Sequence, residues 1–265
     1  MKIDNRTKLY ISAASAPGNL GAAVYNELFK KFGMNCVYIP RTFVDAGRLA
    51  ETIRALDIKG CSVSMPLKSA VVKFLDRLDG AAEITGSVNT IVNDKGSLTG
   101  YDTDWYGVRQ VLRKIRKGPV VIYGSGSVVN SVVFALKKLK FRDITITARD
   151  FRKAVLSAKK NGVKAEEIRT VKARRTLLVN ATPAGAKNKD PRLFALLGLV
   201  SAVLDLVVAP DDTALAAEAE RMGLRTIRGI EMSEYRIQRQ FEIYSGSRPD
   251  IGDIDSIVRR VYLEH

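Results

Sequence analysis

Lys68, Asn89 and Asp104 are the side chains in this sequence best suited to chemistry. Each lies where an apolar, strand-like run gives way to small or polar residues. The stretches are Ser62-Val63-Ser64-Met65-Pro66-Leu67-Lys68, Gly86-Ser87-Val88-Asn89-Thr90 and Gly100-Tyr101-Asp102-Thr103-Asp104. Pro66 stiffens the turn before the lysine. An ammonium stabilises charge that grows on an oxygen and delivers a proton to it, and a carboxylate fixes the ammonium in place. An amide offers a substrate hydroxyl one donor and one acceptor side. Taken singly, loop lysines and aspartates are solvated surface; the combination on three loops of one α/β unit points to a polar site with a charged pair.

The elements that must position this set alternate in type. Residues 9–12 read as a first strand and 20–32 as a helix, with Val24, Leu28 and Phe32 at helical spacing and Gly33 as its stop. A strand over 36–40 and a helix over 46–56 follow, then the strand leading to Ser64 and a helix through 71–75. Asn93-Asp94-Lys95-Gly96 signals a hairpin, whose returning strand covers 97–101. Strands alternating with helices predict an α/β fold with a mostly parallel sheet.

The 265 residues predict two domains, and 46% hydrophobic with 27% charged residues is ordinary globular composition. No apolar run is long enough to span a bilayer, so no membrane partner is expected. The start, Met1-Lys2-Ile3-Asp4-Asn5-Arg6, lacks a signal-peptide core, which predicts a cytoplasmic protein. Cys36 and Cys61 sit in apolar stretches and read as buried free thiols, with no metal expected. The single histidine is His265, so proton chemistry falls to Lys, Asp, Glu or Tyr. A net charge of +15 suits anionic substrates and cofactors. The basic residues are spread along the chain without a helix-turn-helix, zinc-finger or RNP signature, which argues against a nucleic-acid partner.

A second functional region begins at the apolar run Pro119-Val120-Val121-Ile122-Tyr123, followed by Gly124-Ser125-Gly126-Ser127 and a helix. Strand, glycine turn and helix form the context of a dinucleotide-binding loop, although Val129 takes the place of the third glycine. The next strand, over 143–147, ends at Ala148-Arg149-Asp150. An arginine at this strand end suits the 2′-phosphate of NADP, and Asp150 suits a helix cap.

The three opening stretches resemble, in order and interval, motifs of the shikimate dehydrogenase family: Asn-Val-Thr-x-Pro-x-Lys, Gly-Ala-Val-Asn-Thr and Asn-Thr-Asp. Asn180-Ala181-Thr182 is similar to the family's Asn-Ala-Thr beside the cofactor, and Asp205–Pro210 to its Asp-x-x-Tyr-x-Pro, with Val208 for the tyrosine. The resemblance implies two domains. A substrate domain of 1–105 is completed by helices in 229–265, and a Rossmann-type NADP domain spans 106–228, with substrate and nicotinamide meeting in a cleft. It implies catalytic roles for Lys68 and Asp104 and substrate contacts at Asn19, Gly21, Ser64, Asn89 and Arg236. Cofactor contacts are implied at Gly124, Ser125, Gly126, Ser127, Arg149, Asn180, Thr182 and Val208. Asn19 and Gly21 stand where the family has serines that hold the substrate carboxylate, and Arg236 where it has a glutamine. These departures look like the divergent shikimate dehydrogenase-like branch. The expected activity is hydride transfer between NADP(H) and shikimate or a related small cyclic hydroxy acid, by a monomer or homodimer. The alternatives are an NADP(H)-binding protein with little turnover, or a dehydrogenase for quinate or another polyol acid.

Overall fold

The computed structural model describes residues 3–172, 174–186, 190–209 and 212–263, the side chains of residues 262 and 263 excepted. His265 and Pro210 therefore lie outside the described residues. The chain forms two compact units, one of residues up to Thr103 and from Glu234 onward, the other Asp104–Ser233.

The first unit contains β1 (Lys8–Ala14), α1 (Leu20–Lys31), β2 (Cys36–Thr42), α2 (Ala46–Ala55), β3 (Gly60–Val63) and α3 (Leu67–Ala70). Then come β4 (Arg77–Leu78), α4 (Gly80–Thr85), β5 (Thr90–Asp94) and β6 (Ser97–Tyr101). The second contains α5 (Asp104–Leu112), β7 (Val120–Tyr123), α6 (Val128–Lys138), β8 (Ile144–Thr147), α7 (Phe151–Asn161) and β9 (Lys164–Ala165). It continues with β10 (Leu177–Asn180), α8 (Pro191–Ala195), β11 (Ala202–Asp205), α9 (Ala214–Arg221) and β12 (Arg225–Ile227). Two helices close the chain, α10 (Gly229–Ser245) and α11 (Ile251–Leu263).

In the first unit the sheet order is β2-β1-β3-β5-β6-β4. β1 runs parallel to β2 and β3, whereas β5 is antiparallel to both β3 and β6. Alternation along the strands sorts the side chains into two faces. Ile11, Ala13, Cys61, Val63 and Ile91 pack with Leu49, Ile53 and Val71 in one core. Tyr10 and Tyr38 lie on the other face, against Tyr25 and Phe29 of α1 and Phe241 and Tyr244 of α10. Tyr25 stacks on Tyr38 with centroids 4.6 Å apart. The expected helix through 71–75 is instead the short α3 and a 3₁₀ turn at Val71–Phe74. Both cysteines are buried free thiols, as expected.

The second unit has the order β12-β11-β10-β7-β8-β9 with every pairing parallel. β7, β8, β10 and β11 are buried along their whole length, which is why they read as unbroken apolar runs. The chain winds outward from β7 to β9, returns to β10, and winds the other way to β12. Such a reversal leaves a crevice at the carboxyl ends of β7 and β10, where α/β sheets bind ligands. Among the described residues, no helix is long and apolar enough to cross a membrane.

Gly60 makes room for the aromatic face. A Cβ there would stand 2.6 Å from the Tyr244 ring and 2.8 Å from the Tyr10 ring. Gly60→Ala is expected to destabilise the protein by about 1–3 kcal/mol, the usual cost of overpacking. Urea unfolding measures it, and an unchanged midpoint contradicts this packing.

Candidate active site

Asn89 sits at the start of β5 and is 1% exposed. Its Oδ1 accepts from the Thr103 backbone N–H at 2.9 Å, the Thr103 hydroxyl at 3.0 Å and the Thr90 hydroxyl at 2.9 Å. A backbone N–H can only donate, so it fixes which end of the amide is oxygen. The Nδ2 end is buried without a hydrogen-bond partner. The sequence expectation of one donor and one acceptor is corrected accordingly: the acceptor is consumed inside the protein, and among the described residues only the Nδ2 donor is left without a partner. Gln240 of α10 backs this arrangement, giving its Nε2 protons to the Asn89 carbonyl at 3.0 Å and the Thr90 hydroxyl at 2.7 Å.

Lys68 enters from α3. Its carbonyl accepts from Val88 N–H at 2.9 Å, joining the lysine turn to the residue before Asn89. The cis Met65–Pro66 bond lies in that turn, and the exposed Ser64 is tied to β1 by its N–H to the Ala13 carbonyl at 2.9 Å. Asp104 is buried, opens α5 and directly follows the Thr103 that grips Asn89. Asn19 is exposed at the N-cap of α1, where its side chain makes no capping bond. Gly21 lies in the first turn, its missing Cβ 3.7 Å from the Tyr38 hydroxyl. Arg236 is half-buried one helical turn before Gln240. Burial pushes the Tyr25 phenol well above its ordinary range, and the charge of Arg236 opposes that rise. Lys68, Asn89, Ser64 and Arg236 thus belong to one unit, whereas Asp104 begins the other.

In the second unit, Gly124 follows β7 with φ at +142°, a conformation that L side chains avoid. A Cβ there would come within 2.8 Å of the Ala181 carbonyl. A Cβ on Gly126 would meet nothing within 4 Å, so the loop leaves open space just ahead of α6. Ser125 and Ser127 flank it, and Val129, in place of a third glycine, is buried in the core beneath the helix. Arg149 is exposed just beyond β8. Asp150 caps α7 through the Arg152 and Lys153 N–H groups. The Tyr123 hydroxyl donates to Asp190 at 2.8 Å, and burial together with that carboxylate pushes the phenol up to about 12. The charges of Arg192 and, less so, Arg149 oppose this shift.

Asn180 at the end of β10 is committed internally. Its Nδ2 donates to the Ala184 carbonyl at 2.7 Å and Asp205 at 2.9 Å, while its Oδ1 accepts from the Thr182 hydroxyl at 2.8 Å. Asn180 and Thr182 therefore shape the turn beside the glycine loop rather than presenting free side-chain groups. Asp205 also accepts from the Thr213 hydroxyl at 2.6 Å and Val207 N–H at 3.2 Å. Val208, three residues past Asp205 in the motif, is 40% exposed.

The shikimate dehydrogenase substrate binding domain matches residues 19–91. The shikimate dehydrogenase-like protein of Haemophilus influenzae is 32% identical over 256 residues, covering 93% of this chain and 94% of the relative. The NADP(+) shikimate dehydrogenase of Pyrococcus abyssi is 35% identical over 255 residues, 93% of each chain. The chain belongs to the shikimate dehydrogenase-like family. A shikimate dehydrogenase solved in complex with NADP+ superposes with a TM-score of 0.90 at 27% identity over 98% of each chain. Both α/β units of this chain have the architecture of that family's substrate and dinucleotide domains.

Sequence reasoning missed Thr90, Thr103, Gln240, Tyr25 and Thr213 as supports of the site. Their signal is weak, since a threonine after an asparagine or a glutamine before a phenylalanine is commonplace. Only the hydrogen bonds reveal their work. Asp205 offers a measurable case. Burial raises its folded-state pKa, while the Thr213, Val207 and Asn180 bonds pull it down. A raised carboxyl pKa costs stability as pH climbs through it. Thr213→Val removes one restraint, so it should cost about 1–3 kcal/mol near neutrality. That cost should shrink as pH falls through the raised pKa. Urea titrations across pH measure it, and a pH-independent cost contradicts the assignment.

Proposed function

We propose that this protein is an NADP(H)-dependent oxidoreductase that moves a hydride between the cofactor and a ring alcohol of shikimate or a closely related cyclic hydroxy acid. The observation that carries this reading is the buried Asn89 amide, whose only uncommitted group is a donor, held between the lysine turn and the Asp102-Thr103-Asp104 motif. Family membership and the resemblance to NADP-dependent relatives support it.

The residues present fit the cofactor: Gly124 admits close backbone approach, Gly126 leaves room before the α6 N-terminus, and Arg149 supplies a guanidinium for a 2′-phosphate. When bound, NADP(H) supplies the hydride chemistry. Lys68 handles the proton. As a neutral amine it takes the proton of the substrate hydroxyl during oxidation, and as an ammonium it returns one to the carbonyl oxygen during reduction. The Asp104 carboxylate orients the lysine and balances its charge. Asn89 donates to a lone pair of a substrate oxygen and so selects an oxygen acceptor at that position. Arg236, with its planar fork, takes the substrate carboxylate through charge-assisted hydrogen bonds.

Lys68→Ala should lower kcat by at least about 10²-fold, the low end for acid/base groups, with the calorimetric Kd for NADP+ little changed; near-normal turnover contradicts the role. Arg149→Ala should weaken NADP+ and leave NAD+ almost untouched, because only the former carries the phosphate. Equal kcat/KM for the two cofactors in the wild-type protein speaks against it. Arg236→Gln should raise KM for shikimate roughly 10- to 100-fold, the loss of a charged hydrogen bond, while NADP+ binding is spared. An unchanged KM places the carboxylate elsewhere.

A further inference from the structure

We infer that Tyr25 is a positioning residue for the substrate-binding amide, acting through Gln240 and Thr90; this rests on the function proposed above and concerns how its Asn89 donor is set. Tyr25, Gln240, Thr90 and Asn89 are each no more than 2% exposed, so water cannot replace a bond lost among them. The Tyr25 hydroxyl donates to Gln240 Oε1 at 2.5 Å. Its raised pKa keeps the phenol protonated and therefore a donor. The phenol bond to Oε1 and the Asn89 carbonyl, which can only accept from Nε2, together fix the Gln240 amide, whose Nε2 also meets the Thr90 hydroxyl. That hydroxyl, receiving one proton, directs its own to Asn89 Oδ1. Thr103 completes the same oxygen. The bonds form one connected set from the phenol to Asn89, with backbone groups at Asn89 and Thr103 fixing the amide ends, and it finishes at the buried, unpartnered Nδ2.

Replacing the phenol with a phenyl ring leaves the buried Gln240 Oε1 without its donor, and the amide shifts from the place where it holds the Asn89 carbonyl and the Thr90 hydroxyl. The seat of α1 does not depend on this bond, because Asn26 separately clamps Tyr38: its Nδ2 donates to the Tyr38 carbonyl at 2.9 Å and its Oδ1 accepts from the Tyr38 N–H at 2.8 Å. A purely structural role for the phenol predicts a stability loss independent of Asn89. A relay predicts an effect on ligand binding that exists only while Asn89 is present.

The test is a double-mutant cycle of Tyr25→Phe and Asn89→Ala, read as the calorimetric Kd for shikimate, beside NADP+-dependent turnover by the wild-type protein. Tyr25→Phe should weaken shikimate roughly 3- to 10-fold, the range of one neutral hydrogen bond. In the Asn89→Ala background it should change Kd less than about 1.5-fold. Equal losses in both backgrounds, or no loss in either, overturn the inference and leave the proposed function standing. Should Tyr25→Phe fail to fold, the near-isosteric Gln240→Met removes the next bonds of the relay and should weaken shikimate by at least roughly 3-fold with Asn89 present and by less than about 1.5-fold in the Asn89→Ala background. Equal losses for Gln240→Met in both backgrounds overturn it. A wild-type protein that neither binds shikimate nor reduces NADP+ with any cyclic hydroxy acid overturns both.

Discussion

The hydrogen bond from the Thr103 backbone to Asn89 is the constraint on which the substrate end of this protein depends. A backbone N–H cannot turn over, so the side-chain amide it grips has only one orientation. From that follow the donor character of the buried Nδ2 and the direction in which Thr90 donates, while Gln240 is oriented by the Asn89 backbone carbonyl and the Tyr25 phenol. The same bond ties the start of β5 to the residue that precedes Asp104. Two sequence motifs whose bonded residues lie 14 positions apart thereby become one piece of structure. Water is excluded from this cluster, and a buried polar network holds its geometry only when its members are satisfied. Asn89 Nδ2 is the exception within it, and an exception of this kind suits a ligand.

The dinucleotide end depends on a different constraint, the reversal of strand order between β7 and β10. It brings the turns after these strands side by side, and they fit only because Gly124 lacks a Cβ where it meets the Ala181 carbonyl. Asn180 and Asp205 then stabilise the neighbouring turns from within. Their polar atoms are bonded within the protein, so the groups proposed to meet the anionic cofactor are the glycine loop, the α6 N-terminus and Arg149. The net charge of +15 adds a general attraction for phosphates and carboxylates.

Much of the fold was legible in the sequence because its signals are local. The helix over 20–32 is found at Leu20–Lys31, the unbroken apolar runs form the buried parallel strands, and the Asn93-Asp94-Lys95-Gly96 turn joins β5 to β6. Asp150 caps α7, as its place after Arg149 suggested. The two-residue strands β4 and β9 and the short α4 and α8 were not legible, being too short to display a period. In the site, the motifs located Lys68, Asn89 and Asp104, but hydrogen-bond direction is not written in them. Which end of Asn89 faces a ligand depends on Thr103, and the use of Gln240 depends on Tyr25, more than two hundred residues away in sequence. Asn180 matched a cofactor motif, yet its amide is occupied by Ala184 and Asp205, a commitment made by tertiary contacts alone.

The most direct test of the account is the steady-state oxidation of shikimate, quinate and shikimate methyl ester by the wild-type protein with NADP+, followed as NADPH formation. The account predicts NADPH from at least one of the two free acids, and a kcat/KM for the ester lower by about tenfold or more, since the ester lacks the charge that a guanidinium binds. Failure to form NADPH with either acid, or an ester as good as its acid, contradicts it.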